Sequence, residues 1–351
     1  MRQILNKSPE RTLRPMIRIL AAALLAALTL SCSEGSDSAP EPASRRELTL
    51  YSGRNEKLIQ PLIDRFRSES GIDVNVRYGE TAELAATLLE EGAKTPADVF
   101  LAQDAAALGA LEAAGMLRAA PRDMLARLEP RFRSRSGRWV GLSGRARTLV
   151  YDPARLREDQ LPQSLDATTD RKWRRRFGVA PTNGSFQAHM AVYQIVHGPE
   201  RLERLLAGMA ANQPRRYPNN SSIVRAVLDG EIDWGLVNHY YLWQARRDRP
   251  DAGARNFFMP EGDASSFVNL AAAGLLSDEP AAVELLRYLL SDDAQRYFAE
   301  ETFEYPLAGG IEPAGGLVAL DEIRTPEVDF AEIGKALPEA LGRINESGLV
   351  Q

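Results

Sequence analysis

The chain has 351 residues, 44% of them hydrophobic and 26% charged, which is the profile of a soluble globular protein with apolar mass for two cores. Its formal net charge of −5 excludes a general basic field for holding nucleic acid. One cysteine and three histidines exclude a disulfide framework and a zinc site built on several thiolates, and they argue against a histidine-rich metal site.

The first 31 residues have the pattern of an export signal. A basic segment precedes an apolar run at 19–30, which is shorter than the roughly 20 residues that a bilayer-spanning helix needs. Cys32 follows directly, as in bacterial lipoprotein signals, whose cysteine is lipidated and becomes the mature N-terminus. We predict a lipoprotein-type signal peptide over 1–31 with lipidation of Cys32; ordinary signal cleavage beside an incidental cysteine is the alternative. Residues 32–46, rich in Ser, Ala, Pro and acidic residues, are predicted to be a flexible tether.

From residue 47 the sequence alternates between strand and helix patterns. Apolar residues on one face predict a helix over 56–70, which Gly71 ends. In chain order we predict strands at 48–51, 74–78 and 99–102 and helices at 56–70, 82–91 and 105–114. This order predicts an open, largely parallel sheet with helices on both faces.

A second α/β unit is predicted after a change near Trp139. Extended segments at 139–142 and 148–151 flank the polar sequence GRAR. Further strands are predicted at 177–180, 232–237, 257–259 and 267–276, and helices at 186–197, 199–211, 221–229, 280–290, 292–300 and 330–344. The basic run at 171–176 is predicted to be a solvated helix face rather than a nucleic-acid patch.

Motifs for catalysis are missing from the sequence. It contains no G-x-S-x-G elbow, no phosphate loop of the G-x-x-x-x-G-K-[ST] type, no H-E-x-x-H and no G-x-G-x-x-G after a strand. None of the three histidines lies in a recognisable nucleophile context. We therefore predict that the protein is not an enzyme.

Two adjacent tyrosines, Tyr240 and Tyr241, follow the predicted strand at 232–237. Ligands of open α/β sheets collect at the carboxyl ends of strands, and phenolate is a hard oxygen donor that suits Fe(III). The alternative is that the two tyrosines are packing aromatics at a strand–helix junction. The dipeptide taken alone favours this alternative.

The segment PTNGS at 181–185 lies between a predicted strand and a predicted helix. Backbone N–H groups at the start of a helix can bind an anion. Plain N-capping by Ser or Asn explains the same residues, and the segment alone does not separate the two interpretations.

Six short motifs occur in one order along the chain: YSGR at 51–54, PADVF at 96–100, GRAR at 144–147, PTNGSF at 181–186, NNS at 219–221 and NHYY at 238–241. Together they resemble the periplasmic ferric-iron-binding proteins that serve ABC importers, over about 48–306. The resemblance implies an α/β fold of the type II periplasmic-binding-protein kind, with two lobes joined by two crossing hinge strands near 142–150 and 267–273. The implied lobes are 47–143 plus 271–320 and 144–270 plus 321–351.

The same resemblance implies the site residues. The tyrosine pair matches Tyr240 and Tyr241 as metal ligands. The anion site of the family matches the following residues: Asn183, Gly184, Ser185, Asn220, Asn238 and the nearby Arg147. From the other lobe, Asn55, Glu56 and Gln103 would approach the metal.

The chain departs from the family at that other lobe. Members commonly place a histidine where Asn55 stands and a glutamate where Gln103 stands, and some place a tyrosine where Glu56 stands. Fe(III) with two phenolates keeps one positive charge and about four open coordination positions. We hypothesise that this site depends on a synergistic carbonate or phosphate more than a His/Glu site does, with Glu56 or water completing the shell.

The resemblance implies capture of ferric iron and delivery to the permease of an ABC importer in the inner membrane. The implied protein is a monomer, in the periplasm or at the outer face of the cytoplasmic membrane, where a lipid on Cys32 would anchor it. The first alternative keeps the fold and changes the ligand to an oxyanion, thiamine, a polyamine or a phosphonate. A second alternative is an exported hydrolase.

Overall fold

The computed structural model describes residues 47–261 and 264–350. Residues 44–351 form one compact unit. The predicted signal peptide, the tether and Cys32 lie outside the described residues. Every helix within the described ranges falls short of the length and apolar character that a bilayer crossing needs.

The first part of the fold alternates strands and helices as predicted. Its elements are β1 Glu47–Ser52, α1 Glu56–Ser70, β2 Asp73–Tyr78, α2 Thr81–Glu91, β3 Val99–Ala102, α3 Ala105–Ala113 and the short α4 Arg122–Leu125. The helix bounds follow local chemistry. The side chain of Asn55 accepts from the backbone N–H of Lys57 and begins α1, and Gly71 ends it at φ 68°.

A single long strand, β4 Trp139–Tyr151, follows, and all 13 of its residues are buried. The sequence predicted two extended pieces separated by GRAR. The strand is continuous because the two arginines of that sequence find buried polar partners, described below, and do not need to face water. The structure therefore corrects the predicted break.

The second part begins with a short parallel strand, which seven further helices and strands follow. Its elements are β5 Phe177–Val179, α5 Gly184–His197, α6 Pro199–Ala211, β6 Arg215–Arg216, α7 Asn220–Leu228, β7 Trp234–Asn238, α8 Tyr240–Asp248 and β8 Arg255–Phe257. Helix α8 and strand β6 were not predicted, and β8 lies two residues before the predicted strand. The basic run at 171–176 forms only a 3-10 turn, Arg171–Trp173, followed by a loop, which corrects the predicted helix face.

The last elements lie on both parts of the fold. They are β9 Val268–Leu275, α9 Pro280–Leu289, α10 Asp292–Glu300, β10 Tyr305–Pro306 and α11 Phe330–Glu346. Helix α11 packs against α3 of the first part and α5 of the second. It therefore ties the two parts together outside the sheet.

One mixed sheet runs through the described residues in the order β2-β1-β3-β9-β4-β7-β5-β6. Strands β1, β2 and β3 are parallel, as are β5, β6 and β7, but β9 is antiparallel to β3 and β4, and β4 is antiparallel to β7. The expectation of a largely parallel sheet was therefore wrong in its centre. Strand β4 changes partner there, from β9 up to Ala146 to β7 from Arg147 onwards.

Candidate functional site

The tyrosine pair opens helix α8, directly after strand β7. The two rings stack with centroids 4.3 Å apart and planes 29° apart. Tyr240 is buried and Tyr241 is half-buried. Because the pair begins a helix, the two side chains leave the same turn and do not alternate as they would in a strand.

The residue before the pair, His239, fixes the start of this helix. Its Nδ1 accepts the backbone N–H of Ala146 at 3.1 Å, so the ring proton lies on Nε2, which donates to the carbonyl oxygen of Phe303 at 2.8 Å. Burial lowers the pKa of His239 to about 4, and the ring is therefore neutral at pH 7. The carbonyl oxygen of His239 also accepts from the side chain of Asn256 at 2.8 Å.

Arg147 lies at the centre of a buried polar cluster. Its Nη1 donates to Oγ of Ser185, Oδ1 of Asn220 and Oδ1 of Asn238, each at 3.1 Å. Its Nη2 donates to the carbonyl oxygen of Leu236 at 3.2 Å. Burial lowers the pKa of Arg147 to about 9, which leaves the guanidinium charged at neutral pH.

The loop before α5 completes this cluster. Oδ1 of Asn183 accepts from the backbone N–H and the hydroxyl of Ser185, at 3.1 and 2.6 Å, and from Nδ2 of Asn220 at 3.1 Å. Asn183 is therefore both the N-cap of α5 and a member of the cluster. A Cβ placed on Gly184 would meet no atom within 4 Å, so open space lies beside the start of this helix.

A second buried network lies on the other side of the partner change in β4. Arg54 makes a bidentate ion pair with Glu304, at 2.9 and 3.0 Å, and also donates to Oε1 of Gln103 at 2.9 Å. Ser143 donates to Glu304, and Arg145 donates to the carbonyl oxygen of Gln103. Burial alone would raise the pKa of Glu304, but Arg54 and Arg145 hold it below its usual value.

These groups give the surroundings of the tyrosines a positive charge. Three guanidinium groups are buried here: that of Arg54 is paired with the carboxylate of Glu304, whereas those of Arg145 and Arg147 donate to neutral oxygen atoms. Burial and the neighbouring Tyr241 raise the pKa of Tyr240 well above 10, whereas Arg145 acts to lower it. The excess of buried positive charge therefore favours phenolate at the pair once a metal ion supplies further positive charge.

The structure brings together most of the residues predicted for the site. The anion residues other than Gly184 form the single hydrogen-bonded cluster, and the charge of Arg147 interacts with both tyrosines. Gln103 contacts Arg54 and Arg145 instead of either tyrosine. Asn55 and Glu56 are exposed, with the Asn55 side chain engaged in capping α1.

Sequence reasoning missed Arg54, Arg145, His239 and Glu304. A signal for Arg145 was present, since residues 145 and 147 of one strand face the same side. The Arg54–Glu304 pair carried no such signal, because 250 residues separate its members. Within residues 47–261 and 264–350, no three His, Cys, Asp or Glu side chains form a group that could hold a metal ion. The tyrosine pair is therefore the metal-donor candidate of the described chain.

A mixed sheet with two α/β parts, crossing strands and a polar site at the ends of β5 and β7 defines a periplasmic binding protein of the type II fold. Residues 48–304 match the bacterial extracellular solute-binding proteins, and the chain belongs to that family. This family is a class of solute-binding proteins, which is a non-enzymatic class.

Comparison with known proteins confirms the predicted resemblance to ferric-iron-binding proteins. The chain is 28% identical to the Fe(3+)-binding periplasmic protein of Serratia marcescens over 86% of its own length and 90% of that protein. Iron-bound HitA from Pseudomonas aeruginosa superposes with a TM-score of 0.78 at 31% identity, over 86% of this chain and 99% of that one. A Trichodesmium protein (IdiA, FutA), solved with iron and citrate ligands, gives a TM-score of 0.74 at 27% identity over 86% and 99%.

Proposed function

We propose that this protein captures ferric iron together with a synergistic carbonate or phosphate anion and delivers it to an ABC importer. The observation that carries the proposal is the stacked pair Tyr240 and Tyr241 beside the buried Arg147 cluster. Two phenolates supply hard donors for Fe(III), and the cluster supplies N–H and O–H donors for an anion. The names of the relatives support iron as the solute.

Charge balance supports a strong dependence on the anion. Fe(III) held by two phenolates keeps one positive charge, and the buried guanidinium groups around it add more. Asn55 and Gln103 are neutral, and the other lobe's buried carboxylate, that of Glu304, is already paired with Arg54, so compensating charge from that lobe would have to come from the exposed Glu56. An anion bound beside Arg147, at the open space next to Gly184, would supply the missing negative charge.

Closure of two lobes would complete the site. We assign the lobes to 47–143 plus 271–320 and to 144–270 plus 321–351, with β4 and β9 as the crossing strands. The tyrosine pair and the anion cluster lie on the second lobe, so iron would bind there first. Rotation about the crossing strands would then bring Asn55, Glu56 and Gln103 towards the metal.

Delivery would follow at the membrane. In this proposal the loaded monomer docks on the permease of an ABC importer in the inner membrane. It stays in the periplasm or at the outer face of the cytoplasmic membrane, anchored by a lipid on Cys32. The relatives named as periplasmic iron-binding proteins support this location.

The test is a titration of Fe(III), supplied on a weak chelator, into residues 44–351, with the visible spectrum recorded in carbonate, in phosphate and in an anion-poor buffer. Tyrosinate bound to Fe(III) produces a charge-transfer band, which we expect in the first two buffers and much more weakly in the third. The variant Tyr240→Phe/Tyr241→Phe should lose the band.

A matched control removes two phenol hydroxyls elsewhere, in Tyr78→Phe/Tyr217→Phe, and should keep the band. No band in any buffer would contradict the iron site, and oxyanions, thiamine, polyamines and phosphonates would then be titrated against the same protein. Equal iron affinity in all three buffers would contradict the anion dependence alone.

A further inference from the structure

A surface of unpaired cations lies near the edge strand β6, outside the candidate site. We call it the arginine surface and define it by Lys172, Arg174, Arg175 and Arg216. All four side chains are exposed, and none has an ion pair with a described residue. By contrast, their neighbours Arg176 and Arg215 pair with acidic residues, Asp233 at 2.5 Å and Glu231 at 3.1 Å.

The backbone holds one of these residues, Arg175, and its neighbour Gln213 in an uncommon conformation. Arg175 and Gln213 both have positive φ, at 59° and 51°, although neither is a glycine. The backbone N–H of Arg175 donates to the carbonyl oxygen of Asn212 at 2.8 Å, and its Nε donates to Oε1 of Gln213 at 2.8 Å. Arg174 reaches the same oxygen at 3.5 Å. A left-handed conformation in a non-glycine residue persists only where its surroundings enforce it. The two contacts to Gln213 bring the side chains of Arg174 and Arg175 to the same oxygen atom.

A depression of about 440 Å³ lies beside two of the four cations. Arg175, Arg216 and Gln213 line it together with Ala210, Pro214, Gly348 and Leu349. The planar guanidinium fork matches phosphate oxygens in a bidentate manner. No aromatic side chain is among these lining residues, whereas a protein–protein interface is usually centred on such anchors. The chemistry therefore fits phosphate groups better than a protein partner.

Three of the four cations of the arginine surface precede the amino end of β5, and the fourth, Arg216, ends β6 beside Val179, whereas the candidate site follows the carboxyl ends of β5 and β7. The basic segment 171–176 enters the amino end of β5, whereas the segment with Asn183 and Ser185 leaves its carboxyl end. Strand β7 is parallel to β5 and likewise carries Asn238 at its carboxyl end. A partner that contacts the segment 171–176 would therefore approach the amino ends of these strands and leave the candidate site open to solvent.

We propose that the arginine surface docks this protein onto the phosphate groups of an anionic phospholipid bilayer. The chain as a whole carries a net charge of −5, so an anionic membrane repels most of its surface and attracts this one. Docking therefore orients the molecule with the candidate site turned away from the lipid, where solute can enter. The inference does not depend on which solute the site holds.

Vesicle sedimentation at low salt tests the proposal with residues 44–351, the compact unit without Cys32. We expect binding to vesicles of phosphatidylglycerol mixed with phosphatidylcholine, weakening as salt is added, and none to phosphatidylcholine alone. Neutralising all four cations, Lys172→Gln/Arg174→Gln/Arg175→Gln/Arg216→Gln, should weaken binding at least tenfold, given about fivefold per cation near a membrane surface.

The control neutralises four exposed arginines that belong to ion pairs elsewhere: Arg127, Arg157, Arg249 and Arg296, each to Gln. It changes net charge equally and should keep membrane binding within about twofold of the parent, because its cations lie outside the docking surface. Should the fourfold variant not fold, Arg175→Gln/Arg216→Gln provides the same comparison against a pair of the control substitutions.

Three outcomes would overturn the proposal. If the control variant lost as much vesicle binding as the variant of the arginine surface, bulk charge alone would drive binding. Saturable binding of inorganic phosphate that displaces the protein from vesicles would assign the surface to a soluble phosphate compound. Binding of polyglutamate without binding of phosphatidylglycerol vesicles would assign it to an acidic protein. An unchanged iron spectrum in the fourfold variant would show that the candidate site does not require this surface.

Discussion

At the scale of single residues, the most constrained group is the guanidinium of Arg147. It is fully buried and gives its Nη hydrogens to four oxygen acceptors in three different segments. Only an arginine can reach all of them at once, because its planar fork carries several donors in fixed directions. The residue thus organises the cluster that we propose to bind the anion.

The variant Arg147→Lys should keep the positive charge and lose this organisation. We expect the free energy of unfolding to fall by about 1–3 kcal/mol, because buried oxygen acceptors lose their donor. The anion concentration that is needed to produce the charge-transfer band of the iron complex should rise at least tenfold. Denaturant unfolding and anion titration measure the two effects. Arg157→Lys, in an exposed ion pair, should change stability by less than about 0.5 kcal/mol. An unchanged anion requirement would remove Arg147 from the anion site.

His189 makes stability depend on pH. Its ring is buried, and its Nε2 lies 2.8 Å from the carbonyl oxygen of Ala264. Burial, with a contribution from Arg147, lowers its pKa to about 3 in the folded protein. The unfolded chain has a histidine pKa of about 6.5 and takes up the proton first as pH falls. The free energy of unfolding should therefore drop by about 2 kcal/mol between pH 6.5 and 5.

Urea unfolding at several pH values measures this slope, and His189→Gln should reduce it by about half, because the buried His239, with its pKa lowered to about 4, contributes a similar slope. Glutamine removes the titrating group and still places an N–H donor near Ala264. His197, half-buried at the end of α5, provides the control for a histidine-to-glutamine change in the same helix, and His197→Gln should leave the slope near that of the parent. A slope unchanged by His189→Gln would show that another group takes up the proton.

Motifs predicted the Arg147 cluster, because its members lie in short segments that each carry a readable pattern. In the second network, Arg145 carried a signal because it lies two residues from Arg147, but the Arg54–Glu304 pair could not be predicted, since 250 residues separate its members. The roles of Asn55, Glu56 and Gln103 in metal binding stay predictions.

At the scale of elements, local chemistry predicted helix ends well. Helix α1 ends at Gly71 and α6 begins at Pro199 as expected, because capping depends on one or two neighbouring residues. Apolar character is a weaker guide at single positions, since Leu89 of α2 is 45% exposed. The continuity of β4 was not predictable either, since GRAR resembles a turn until its arginines are seen to have buried partners. Non-local pairing decides such cases.

Gly184, the first residue of α5, gives a test of the anion site that leaves the fold intact. A Cβ there meets no atom within 4 Å, so Gly184→Ala should keep or raise the free energy of unfolding, by up to about 1 kcal/mol. The added methyl would occupy space beside the cluster and should weaken anion binding. Gly342→Ala in α11 also meets no atom and serves as the control. If both variants bind the anion equally well, the anion does not bind beside Gly184.

At the scale of the whole molecule, strands β4 and β9 connect two parts of one sheet, and helix α11 packs on both. If the proposed lobes close on their solute, the loaded protein is more compact than the empty one. Small-angle X-ray scattering should show a smaller radius of gyration after addition of Fe(III) with carbonate. Tyr240→Phe/Tyr241→Phe should show no such change. Identical scattering curves for the loaded and empty parent would contradict closure.

The partner change in β4 has a mechanical consequence. Arg145 and Arg147 leave the same face of the strand, two residues apart, and the change from β9 to β7 falls between them. One side chain is attached to Gln103 in the first part of the sheet and the other to Asn220 in the second. A torsion of the strand between the two residues would rotate the side chain of Arg145 relative to that of Arg147. Because the side chains are long, a small twist of the backbone produces a larger displacement of the two guanidinium groups.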